Sequence, residues 1–100
     1  MKRSAPLLSI LLAWSPALAQ APVTPPSFQM PEGSGCGGDI ARYRAVQEND
    51  LAMGHVAKSV YAQIKREIEA AEKICSAGQD AKASAMIHAS QARHGYPTHI

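Results

Sequence analysis

Cys36 and Cys75 are the two most reactive side chains in this 100-residue sequence. A cysteine pair can act in thiol–disulfide exchange, hold a metal, or form a structural disulfide. Neither cysteine stands in a C-x-x-C motif, so redox catalysis and a paired zinc site are not indicated. A structural disulfide is the expected use. Glu67, Glu69 and Glu72 also lie near one another. They fall on the charged side of a helical pattern and read as a solvated face, not as a general acid–base pair. There is no G-x-S-x-G, no P-loop and no glycine-rich dinucleotide turn. With a small alanine-rich core there is little room for a substrate pocket, so an enzyme is not expected.

The histidines are His55, His88, His94 and His99. His88 and His94 are six positions apart and do not share a helix face. His94 and His99 straddle a Gly-Tyr-Pro turn and could approach each other. Met53, Met86 and His55 add ligands of the kind copper uses. These residues make a small exported metal-binding protein the alternative function. Nothing in their spacing matches H-x-x-x-H, so surface or capping histidines are the preferred reading, and no cofactor is expected.

The N-terminus sets the compartment. Met1-Lys2-Arg3 is a basic start, Leu7 to Trp14 is a short apolar run, Ser15-Pro16 breaks it, and Ala17-Leu18-Ala19 is an A-x-A cleavage site. That order is a secretory signal peptide over residues 1–19. Its apolar run is too short to span a bilayer, and no second one follows, so no stable membrane insertion is expected after cleavage. The expected location is the periplasm or the medium. Cleavage also removes Lys2 and Arg3. Eight basic and eight acidic residues then remain, and they cancel. A neutral domain has no electrostatic basis for binding nucleic acid or an anionic membrane surface.

Residues 20–35 hold Pro22, Pro25, Pro26 and Pro31, and this density predicts a flexible leader. The helical domain is expected over 36–97, with a tail at 98–100. After a Gly37-Gly38 turn, Asp39 is placed to cap a first helix over Ile40–Met53. Gly54-His55 breaks the pattern. Val56, Val60, Ile64, Ile68, Ala71 and Cys75 then recur every three or four residues, which gives a second helix one apolar face. Gly78 ends it. Asp80 is placed to cap a third helix over 81–94, which Gly95 and Pro97 stop.

The cysteine spacing tests this topology. Cys36 and Cys75 are 39 positions apart, with their midpoint at His55-Val56. One unbroken helix would separate them by roughly 58 Å. A turn at Gly54-His55 gives equal arms and brings both cysteines to the open end of an antiparallel hairpin. The expected fold is therefore all-α: a disulfide-stapled helical hairpin with a short third helix closing its groove. In the chain-entropy model the staple contributes about 4 kcal/mol.

The stretch AEKICSAGQDAKASAMIHA, Ala71 to Ala89, resembles the helix–turn–helix junction of tetratricopeptide-type repeats. It has the small residue, the glycine turn and the alanine-led helix. The Trp/Leu/Gly/Tyr signature of that repeat is missing, and no second copy follows at a fixed period. By analogy the resemblance implies a protein-binding role. The broken stripe of the first helix offers Tyr43, Leu51 and Met53 as partner-binding residues, or as core. Arg93 and Tyr96 form a second candidate recognition segment, or Tyr96 folds back over the end of the core. The expected function is a small non-enzymatic binding or accessory protein of the cell envelope with an unidentified protein partner. A self-associating envelope component, in the form of a homodimer, is a further alternative.

Overall fold

The computed structural model describes residues 28–98. The expected signal peptide, the leader before Phe28, and His99 lie outside the described residues. Three helices follow in order: α1 (Gly35–Met53), α2 (Lys58–Ser76) and α3 (Asp80–His94). The described residues contain no strand. The all-α expectation holds, and so does the staple. The Cys36–Cys75 disulfide joins the first turn of α1 to the last turn of α2, with the Cα atoms 5.9 Å apart. Joining a start to an end makes the two helices antiparallel. The reversal comes where the cysteine midpoint places it. Gly54 adopts the left-handed conformation at φ 74°, and its N–H closes onto the carbonyls of Asp50 and Leu51. Such a C-terminal cap favours glycine because it has no Cβ.

The start of α1 differs from expectation. Gly37-Gly38 is not a turn, and Asp39 is not the cap; the helix begins at Gly35 and runs through both glycines. One distant and one nearby group make this possible. The Asp80 carboxylate accepts a hydrogen bond from the Cys36 N–H at 2.7 Å, satisfying a helix-start donor from the beginning of α3. The Gly33 carbonyl lies directly against Gly38, where any Cβ would collide with it. The same carbonyl accepts a bond from Arg42 Nη1 at 2.6 Å. Asp80 is accordingly the first residue of α3, not its cap.

The core lies where the three helices meet. Ile40 and Tyr43 come from α1, Ile64, Ile68 and Ala71 from α2, and Ala83 and Ile87 from α3. The α2 members fall on the expected stripe, with Val60 and Cys75 half-buried at its ends. Each buried isoleucine contributes about 1.5–3 kcal/mol. Ala83 is fully buried and lets α3 approach closely. Among the described residues, no helix is long and apolar enough to cross a membrane.

Candidate functional site

Helix α3 carries Ser-x-x-x-His twice, as Ser84/His88 and Ser90/His94. Residues four apart lie one above the other on a helix face. The offset of six between the pairs turns the second about 120° around the axis from the first. Each pair therefore meets a different neighbouring helix, and each finds a carboxylate there.

The first pair meets Asp39 of α1. Ser84 Oγ donates to Asp39 Oδ2 at 2.6 Å. His88 Nε2 lies 3.7 Å from the same oxygen. Arg42 Nη2 donates to Oδ1 at 3.0 Å. The second pair meets Glu67 of α2. Ser90 Oγ donates to Glu67 Oε1 at 2.5 Å. His94 Nε2 is 3.2 Å from that oxygen, and Arg93 Nη1 is 3.0 Å from it. Gln63 Nε2 reaches Oε2 at 3.2 Å. Behind Ser90, the Tyr43 hydroxyl lies 2.9 Å from Ser90 Oγ. The serine proton goes to Glu67, so Tyr43 is the donor in that bond. The chain Tyr43–Ser90–Glu67 runs through all three helices.

Burial pushes the Glu67 carboxyl upward, but the Ser90 bond, the Arg93 charge, the Gln63 bond and His94 outweigh it. The carboxyl sits below its ordinary range. Burial likewise raises the Tyr43 phenol, partly offset by the Ser90 bond. The network therefore holds a charged carboxylate beside a neutral phenol. Glu67 departs from the expected solvated face. Glu69 and Glu72 do face solvent, Glu72 pairing with Arg44 at 3.1 Å.

A serine, a histidine and an acid together suggest nucleophilic catalysis, but the connectivity is different. Activation needs the serine proton to be taken by the histidine, with the acid behind it. Here both serines donate straight to the carboxylate, and the histidine stands beside the same oxygen. Ser90 is moreover buried. What the arrangement does is fasten α3 to α1 and to α2.

The other expected site residues divide. Tyr43 is fully buried and belongs to the core, which removes it from any partner-binding surface. Leu51 and Met53 remain partly exposed at the end of α1. Arg93 is engaged with Glu67. Tyr96 folds back: its hydroxyl donates to Asp50 Oδ2 at 2.8 Å, and its ring meets Tyr43 edge-on at 5.8 Å. Of the metal candidates, Met86 packs against the core and His94 is held by Glu67. His55 lies 4.0 Å from Asp50. Among the described residues, no group of three or more His, Cys, Asp or Glu side chains is placed to hold a metal. The repeated Ser-x-x-x-His spacing is the sequence signal that could have located both clusters. No family model, curated protein or solved structure matches this chain.

Proposed function

We propose that the chain is an exported, non-enzymatic binding or accessory protein of the cell envelope that acts through protein–protein contacts. The observation that carries this reading is the inward use of its polar chemistry: both serines, Glu67, His94 and the cysteines all fasten helices together. A disulfide between the ends of two helices suits an oxidising compartment, in agreement with the N-terminal export signal. The outward side of α3 exposes four small residues, Ala81, Ala85, Ala89 and Ala92, among Lys82, His88 and Arg93. A partner can approach such a surface closely.

The test is native mass spectrometry of the protein from the periplasmic fraction, without reductant. The expected species is residues 20–100 less two hydrogens, joined to a partner protein at fixed stoichiometry. Ala89→Glu should abolish that complex while leaving the melting temperature unchanged. A bound metal would move the function to metal binding. A species made only of this chain would move it to self-association.

A further inference from the structure

The two halves of the staple stand in unlike surroundings. Cys75 is in the last turn of α2, a regular helix. Cys36 stands in Gly33-Ser34-Gly35-Cys36-Gly37-Gly38. Glycine is the poorest helix former after proline, and the start of α1 has none of the usual local supports. Ser34 makes no side-chain capping bond, and the first turn holds no acidic residue. The N–H groups there depend on Asp80, which binds Cys36 N–H, and on the Ser34 carbonyl, which accepts from Gly38 N–H at 3.2 Å. The disulfide fixes the segment to α2.

Most of these glycines are required by the closed structure. Gly33 and Gly35 have positive φ, at 135° and 69°, and Gly38 lies against the Gly33 carbonyl. Gly37 is different. It is exposed and within the helix, and a Cβ there would meet nothing within 4 Å. Alanine would fit and would favour the helix about fivefold. Gly37 thus weakens the start of α1 without serving its packing. The weakness stops at the next two residues. Asp39 is held by Ser84 and Arg42, and Ile40 belongs to the core. The turn before Asp39 is therefore the part of α1 able to come away alone.

We propose that the Cys36–Cys75 disulfide is a reducible site, opened by a dithiol, and that its opening unwinds α1 from Gly35 through Gly38 while the rest of the bundle stays folded. The bond lies at the open end of the hairpin, and Cys75 is only half-buried. One thiolate of the dithiol attacks a sulfur of the bond, and the other sulfur leaves as a thiolate. The second thiol of the dithiol then completes the exchange. The reductant ends as a disulfide, and its two electrons and two protons end on Cys36 and Cys75 as thiols. Unwinding withdraws Cys36 N–H from Asp80, uncovers the buried Cys36 and carries it away from Cys75, which slows reclosure. The start of α1 thereby reads the thiol–disulfide balance of its compartment.

The experiment is NMR on the full mature chain, isotope-labelled, before and after dithiothreitol at neutral pH. It uses no partner, so its outcome is independent of the function proposed above. On reduction the Cα shifts of Gly37 and Gly38 should move from helical to coil values, while those of Ile64, Ile68 and Ile87 stay helical. Gly37→Ala should leave the oxidised protein unchanged. In the reduced protein it should lower the open-to-closed ratio about fivefold and draw the Gly38 shift back toward helix. A disulfide that resists dithiothreitol overturns the proposal. So do helical shifts at Gly37 and Gly38 after reduction, coil shifts throughout the reduced domain, or a reduced Gly37→Ala chain as open as its parent.

Discussion

The two serine–histidine clusters of α3 use the same residue types at the same spacing, yet they are inverted with respect to solvent. Around Asp39 the arginine is the covered cation, with the Arg42 side chain 19% exposed, and the histidine is the outer one, with His88 at 46%. Around Glu67 the order is reversed: His94 is 10% exposed and Arg93 is 52% exposed. The Glu67 cluster also continues inward to Tyr43, a continuation the Asp39 cluster lacks. The residue types thus determine that a carboxylate will be gathered. The carboxylates themselves are equally exposed, at 22% and 23%. The depth of the serine bonded to each, buried for Ser90 and half-buried for Ser84, determines how much the gathering contributes, because a bond is worth more where a lost partner cannot be replaced by water.

The largest separation should come from removing the acids. Glu67→Ala should destabilise by about 3 kcal/mol, since it leaves Ser90 and His94 without their acceptor. Asp39→Ala should cost about 1 kcal/mol. Urea unfolding of both variants checks this, and equal losses would break the comparison. Removing the serines comes next. Ser90→Ala takes away the acceptor of the buried Tyr43 hydroxyl and should cost about 2 kcal/mol, against less than ~1 kcal/mol for Ser84→Ala. The histidines should differ less, with about 1 kcal/mol for His94→Ala and a change within ~0.5 kcal/mol for His88→Ala; paired melting curves would show it.

The smallest effect is one of pH. Glu67 has a lowered folded-state value. Its contribution is therefore present above the unfolded carboxylate value and is lost as pH falls through the lower folded one. Glu67→Gln should flatten that acid limb of the stability curve. Tyr43 and Tyr96 are raised, so their contribution is lost only as pH rises above the ordinary phenol value. Burial is the largest cause of both shifts and the Glu67 charge a smaller one at Tyr43, so this variant should leave most of the alkaline limb in place.

Much of the fold was legible because its signals are local or arithmetical. The stripe Ile64, Ile68, Ala71 identifies the buried face of α2 without reference to any other element. The cysteine midpoint and Gly54 locate the reversal independently of each other. The start of α1 was not legible, because one determinant is distant and the other is a backbone contact that residue types do not announce. A carboxylate 44 positions away satisfies Cys36 N–H, and the Gly33 carbonyl packs on Gly38. Read locally, two adjacent glycines indicate a turn. The clusters were hidden for a related reason. Ser-x-x-x-His acquires meaning only once Asp39 and Glu67 are known to face it, and Glu67 shares its stretch of helix with acids that do face solvent.

The staple also decides how the domain bears mechanical load. A pull applied between Phe28 and Thr98 enters at Cys36, crosses the disulfide to Cys75, and leaves through α3. Residues 37–74 lie inside the closed loop and cannot be extended by it. Under tension only α3 can be drawn out, and the two clusters resist that in turn. The hairpin keeps on the order of 130 Å of contour in reserve, from the 39-position separation of the cysteines at about 3.4 Å per residue, until the disulfide is reduced.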